Sequence, residues 1–228
     1  MVDLVLPFDG PWRVQNSPAR RVPSHGTDLF GGTYAIDFVG VDGRGRTAHT
    51  RDWRTLLATE DPQRFVAFGR PILAPVAGTV VAVHDGEVDH EARRSRLTLA
   101  GYALSQASRV RGGPPAIAGN HVTIAQVGGG GFVVLAHLQR GSIVVSVGDH
   151  VTEGQPVARC GNSGNSTQPH LHLQAMDDPD PSVARGLPIS FRRFLERARR
   201  SGTAVERRDA VPADGAVVER VVPPGRGP

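Results

Sequence analysis

The apolar residues of this chain fall in short runs, several of them alternating with period two, and the runs are broken by glycine and proline. Val2 to Leu6 alternates weakly and predicts a first strand, followed by a turn at Gly10-Pro11 and a core anchor at Trp12. Tyr34-Ala35-Ile36-Asp37-Phe38, continuing through Val39, reads as a strand with an acid set inside it. The β-branched run from Ile72 to Val83 contains Pro75 and Gly78 and predicts two short strands around a tight bend. Asn120–Ala125 and Phe132–His137 form the arms of a hairpin closed by Gly128–Gly131. Residues 141–158 alternate short β runs with glycine-centred turns, and a turn-rich stretch from Gly161 to Pro169 leads into His170-Leu171-His172-Leu173.

Three stretches break the two-residue period. Residues 51–68 carry patchy helical spacing, with Trp53, Leu56 and Leu57 on one face, and predict a short helix or an irregular loop. Residues 87–118 are charged, then rich in Ala, Ser, Gly and Pro, and read as an inserted excursion. Ser190 to Arg200 places Phe191, Phe194, Leu195 and Ala198 on one helical stripe with Ser190 as N-cap, which predicts a C-terminal helix. The expected organisation is an N-terminal strand and loop (1–24) and a central domain (25–189) with insertions at about 42–70 and 87–118. A basic helix (190–200) and a flexible tail (201–228) complete it. The fold class is mainly β.

Composition narrows this picture. Glycine (28) and proline (18) are abundant while aromatics make up 5 %, as many turns between short strands require, and 228 residues leave ample length for a core. Cys160 is the single cysteine, so neither an intramolecular disulfide nor a cysteine metal cluster can form. There is no lysine, and every basic side chain is arginine. Residues 185–208 hold eight Arg and two Glu, a net of +6 in a chain of +4, so the remainder is slightly acidic and the basicity is local. It reads as the solvated face of a docked helix; no aromatics interleave with it as in nucleic-acid stacking sites, and no nucleic-acid partner is expected. The N-terminus lacks the basic and apolar regions of a signal peptide. No apolar stretch approaches the roughly 20 residues of a transmembrane helix. Neither a Gly-x-Ser-x-Gly elbow nor a P-loop is present.

The candidate chemistry lies in the histidines. In a strand, His170 and His172 share one face and Leu171 and Leu173 the other. Two such imidazoles can share a metal ion, or one can bind while its neighbour handles protons; equally, they can be two exposed residues of an edge strand. A carboxylate among Ile36, Phe38 and Val39 needs a partner, and that partner is a cation or a structural hydrogen-bond donor. His137 ends its strand, and His25 lies in Ser24-His25-Gly26-Thr27. His121 is expected in a supporting role; His49, His84, His90 and His150 are expected at the surface.

With His25…Asp37, Ala136-His137-Leu138 and Ser163-Gly164-Asn165-Ser166-Thr167-Gln168-Pro169-His170-Leu171-His172, roughly residues 25–175 resemble the lysostaphin/LytM-type zinc metallopeptidases of the M23 family. The resemblance implies an antiparallel β-sheet groove of the M23 type, a flattened β hybrid. It implies one Zn2+ held by His25, Asp37 and His172, with His137 and His170 as catalytic residues beside an activated water. The implied activity is endopeptidase cleavage of peptidoglycan stem or cross-bridge peptides, which suggests the cell envelope or secretion. A catalytically degenerate domain of this type that binds cell-wall peptide, or acts as a structural or regulatory module, is the alternative. The β scaffold around residues 77–80 and 141–158 also resembles biotinyl and lipoyl carriers, but those modify a lysine and this chain has none. Two departures from the family pattern stand out. The usual His four residues before the Asp is Thr33 here, so a loop containing Gly31-Gly32 must return His25 from twelve residues away. The residue two after the last His, often Glu, is Gln174.

Overall fold

The computed structural model describes residues 1–95, 113–198 and 202–221. Its strands are β1 (Val2–Leu4), β2 (Trp12–Gln15), β3 (Ile36–Gly40), β4 (Pro71–Leu73), β5 (Gly78–His84), β6 (Asn120–Gln126) and β7 (Phe132–Leu138). They continue as β8 (His150–Val151), β9 (Pro156–Arg159), β10 (Leu171–Met176), β11 (Ile189–Arg197), β12 (Ala204–Ala210) and β13 (Val217–Arg220). Among the described residues, two short α-helices, α1 (Trp53–Leu57) and α2 (Gly113–Ala118), lie in the two insertions. Most strands join one mainly antiparallel sheet in the order β1-β11-β13-β2-β3-β10-β7-β6-β5-β8, with β12 also on β11 and with β4-β9 as a separate pair.

Alternation decides what each strand of the sheet buries. Ile36 and Phe38 of β3, Leu171 and Leu173 of β10, Val133 and Leu135 of β7, and Val122 and Ile124 of β6 all enter one hydrophobic core. Trp12 and Val14 of β2 join the same core, with Phe8 stacked on Trp12 at 4.6 Å between ring centroids. The residues between them, Asp37, His172, Gln174, Val134, His121 and Thr123, are left on the opposite face, where they line a cavity.

The C-terminal part differs from expectation. Residues 189–197 form a strand in place of the helix expected over 190–200, whose last two residues lie outside the described ones. Pairing overrides local propensity here: β12 meets one edge of β11, while β1 and β13 meet the other at its two ends. Phe191 and Phe194 both reach the main core, and their spacing of three mimics a helical stripe. The arginines find carboxylates across the ladder, Arg193 on Glu206 and Arg207 on Glu196, each at 3.0 Å. The expected tail from residue 201 likewise carries two strands, β12 and β13, with Val218 fully buried. β13 inserts between β11 and β2, pairing Val218 with Trp12, so the segments before residue 25 and after residue 189 belong to the same sheet as the centre.

The two insertions brace each other. Glu60, 1 % exposed, accepts from Arg94 Nη2 at 2.6 Å and from Arg94 Nε at 2.7 Å. Burial alone would raise its carboxyl pKa, but Arg94 more than offsets that and holds it below the usual range. The middle of the second insertion, residues 96–112, lies outside the described residues.

Candidate metal centre and active site

Register sets the centre of the site. Asp37 of β3 stands opposite His172 of β10, which stands opposite Ala136 of β7, so one row crosses three strands. His172 Nδ1 lies 2.9 Å from Asp37 Oδ1. His25 reaches the other carboxylate oxygen, its Nε2 being 3.0 Å from Asp37 Oδ2. The loop that returns it is closed by the amide of Ser24, which donates to the Thr33 carbonyl at 3.0 Å. That contact places Ser24, the neighbour of His25, against Thr33, four residues before Asp37. Within the loop, Phe30 and Gly31 both take positive φ, 56° and 73°. A Cβ on Gly31 would lie 2.7 Å from Met176 Cγ, so that position requires glycine for both reasons.

His137 comes to the site through a bulge. Between Asn120/Leu138 and Val122/Leu135, three steps of β7 oppose two of β6, and His137 has φ 61°. Strict alternation would send His137 into the core behind Leu135. The extra residue turns Ala136 and His137 to the same face, where both line the cavity, and returns Leu138 to the core. His170 precedes β10, with its Nε2 3.7 Å from Asp37 Oδ1 and its ring 4.7 Å from that of His137.

Backbone carbonyls fix the tautomers of these two rings. Nδ1–H of His137 donates to Ser163 O at 2.9 Å, and Nδ1–H of His170 donates to Gln168 O at 2.8 Å. Each neutral ring therefore carries its lone pair on Nε2. Burial, then the neighbouring imidazoles, pushes the His137 pKa well below normal, and burial lowers that of His170. Both are proton acceptors that remain neutral near neutral pH.

The opposite holds around Asp37, which is 5 % exposed. Burial would raise its pKa, but His170, His25 and His172 outweigh that and hold it well below the carboxylate range. Burial opposes charge on His172 as well, yet the Asp37 contact raises its pKa. The first shift keeps Asp37 ionised, and the second shows that its charge favours a cation beside it. One donor atom from each of His25, Asp37 and His172 lies within 4.8 Å of the others, a set that fits a single metal ion. His25 Nδ1 is held by Ser24 Oγ at 3.0 Å, which leaves Nε2, the nitrogen facing Asp37, for such an ion.

The structure thus brings together all five residues singled out in the sequence, and adds others. Asn16, with φ 51° at the end of β2, donates from Nδ2 to Asp37 Oδ2 at 2.8 Å. Its only sequence signal is its place after a strand, which gains meaning once the β2–β3 register sets Gln15 opposite Asp37. His121 lines the cavity beyond Ala136, with Nδ1–H on Gly119 O at 2.8 Å. Two members of the second insertion expected to be peripheral hold the 161–167 loop. Asp89 Oδ1 accepts from the Asn162 amide at 2.6 Å, and His90, partly buried instead of at the surface, reaches Gly164 O with Nε2 at 2.8 Å. Ile117 of α2 accepts from the Asn165 amide at 2.9 Å, which closes the same loop from the other side. The cavity so enclosed measures about 490 Å³, with the Asp37 cluster at one end and Ile117, Val134 and Ala136 along its walls.

Residues 64–183, just over half of the chain, match the model of Peptidase family M23. The matched stretch contains His137, His170 and His172; Asp37 reaches it by the pairing of β3 with β10. Among solved structures, the catalytic domain of the antimicrobial peptidase lysostaphin from Staphylococcus simulans is 20 % identical, over 69 % of this chain and 78 % of that one, with a TM-score of 0.38. The prophage-encoded M23 protein EnpA from Enterococcus faecalis is 19 % identical over 68 % and 73 %, with a TM-score of 0.38. A zinc-containing peptidase from Vibrio cholerae is 19 % identical over 67 % and 45 %, with a TM-score of 0.33. The match to the family model carries the assignment: this chain belongs to peptidase family M23.

Proposed function

We propose that this protein is a zinc-dependent endopeptidase that hydrolyses peptide bonds in peptidoglycan stem or cross-bridge peptides. The observation that carries the proposal is the group of His25, Asp37 and His172, with donor atoms within 4.8 Å, beside two neutral histidines in one groove. Two imidazoles and one carboxylate leave a coordination position free, the arrangement of catalytic rather than structural zinc. When bound, zinc supplies Lewis-acid polarisation of a carbonyl and a water acidified toward pKa ~7. His137 and His170 hold their Nε2 lone pairs ready to take the proton of the attacking water. After the C–N bond breaks, the same Nε2 atoms return a proton to the leaving amine. Asn16, by holding Asp37 Oδ2, keeps the carboxylate from rotating. The peptidoglycan substrate is supported by family membership and by the motif resemblance.

Metal analysis of the purified protein, combined with digestion of defined peptidoglycan fragments, tests the proposal. One zinc per chain and new amino termini in the digest are expected. Bound zinc with fragments left intact would leave a peptide-binding domain without hydrolysis, and absence of zinc would overturn the ligand set.

A further inference from the structure

Gln174 lies two residues beyond His172 on the same face of β10 and touches it. Its Oε1 is 3.0 Å from His172 Nε2. An amide can present either its oxygen or its nitrogen to a neighbour, and here the choice is made elsewhere. Gln174 Nε2 donates to the Phe30 carbonyl at 2.7 Å, and a carbonyl oxygen cannot serve as donor, so the amide end faces Phe30. Oε1 is therefore turned to His172 and can only accept. The His172 ring must carry a hydrogen on Nε2, and in its neutral form that leaves the lone pair on Nδ1, 2.9 Å from Asp37 Oδ1. Two acceptors face each other at that distance, which is repulsive unless a proton or a cation lies between them.

We propose that Gln174 is a positioning residue that sets the tautomer of His172, presenting Nδ1 to the metal, and that the segment around Phe30 sets the orientation of Gln174. This inference rests on the zinc reading above. The segment is shaped for the task. Phe30 (φ 56°, ψ 30°) and Gly31 turn the backbone so that the Phe30 carbonyl points at the amide. Met176 Sδ, 3.0 Å from Gln174 Nε2, backs the amide on its other side. Gln174 itself is 8 % exposed, so water does not compete for either end. A glutamate at this position would keep an acceptor for Nε2–H but set a carboxylate oxygen against the Phe30 carbonyl; the amide satisfies both.

The test uses the full chain. Ring nitrogen shifts of neutral His172, read by long-range proton–nitrogen correlation in metal-free protein, should report hydrogen on Nε2. A wild-type ring with its hydrogen on Nδ1 overturns the inference, and this holds whether or not the protein binds zinc. Zinc affinity is then measured by chelator competition for Gln174→Met and Gln174→Glu. Loss of an outer-shell partner typically weakens binding ~10–100-fold, and that is expected of Gln174→Met. Gln174→Glu, which keeps the acceptor, should stay within about threefold of wild type, since the contact to Nε2–H survives. Both variants lose the bond to Phe30, so a purely structural anchor would weaken both alike; equal losses, or none in Gln174→Met, overturn the proposal. A wild-type protein without zinc affinity would defeat the endopeptidase reading instead, while the ring shifts still decide the tautomer.

Discussion

β13 offers the sharpest test of how the sheet supports the site. Its residue Val218 is fully buried in the main core, between Glu196 of β11 and Trp12 of β2. Val218→Ala removes two methyl groups at ~0.8 kcal/mol each, and the residual cavity adds to that, for about 2–3 kcal/mol in all. In a domain of this size each kcal/mol lowers Tm by roughly 2–4 °C, so a fall of about 5–10 °C is expected. Truncation after Val211 removes all of β13, uncovers Trp12 and leaves β2 and β11 without their shared neighbour. That loss should exceed about 5 kcal/mol, comparable to the whole stability of many domains. It also reaches the site, because Asn16 follows β2 directly and holds Asp37. Thermal unfolding by circular dichroism, together with zinc titration, reads both effects. The point variant should lose stability while keeping zinc affinity; the truncated chain should lose both. A truncated chain that melts with the full-length protein would show that β13 contributes nothing to the fold, and the packing argument would fail.

His172→Ala should abolish stoichiometric zinc binding, measured by metal analysis after gel filtration, because it removes one of three donor atoms. His137→Ala should keep the metal and lose ~10²–10⁴-fold in turnover on a defined peptide, the usual share of a proton-transfer group. Loss of zinc in that variant would make His137 a ligand. Glu60 governs a pH effect. Its folded pKa lies below the unfolded value, so its pairing with Arg94 stabilises the fold fully above pH ~4.5 and is lost as pH falls through the folded pKa. Glu60→Gln should therefore flatten the acid limb of a Tm-against-pH curve, and an unchanged limb would remove Glu60 from the account.

What could be read from the sequence follows from how far each cause reaches along the chain. The two-residue period of β10 places His170 and His172 opposite Leu171 and Leu173 by local geometry alone, and the hairpin of β6 and β7 needs only the intervening glycines. β11 is not legible in the sequence because its evidence is not local. Phe191, Phe194 and Leu195 have helical spacing, and only the approach of β1, β12 and β13 turns the segment into a strand whose arginines face carboxylates. The net charge of +6 in that region suggests an outward-facing basic surface; Glu196 and Glu206, already counted in that net, pair across the ladder, and Glu219 on Arg197 and Glu153 on Arg192 offset two more of its charges.

The site divides in the same way. Chemistry-bearing residue types were visible, but their supports were not, since Asn16, Ser24, Asp89, His90 and Gln174 act through partners far along the chain or through backbone atoms. His25 shows the limit most clearly. Twelve residues from Asp37 it could lie some 40 Å away in an extended chain, and no pattern within the loop dictates otherwise. What returns it is one amide–carbonyl contact, Ser24 to Thr33, made possible by positive φ at Phe30 and Gly31. The same turn aims the Phe30 carbonyl at Gln174 and thereby orients the ring of His172. In the proposed site, a loop whose sequence shows little beyond glycine thus serves two of the three ligands, His25 by bringing it in and His172 by holding Gln174 against it. Substitution of Gly31 should therefore weaken zinc binding through both ligands at once, although residue 31 touches neither.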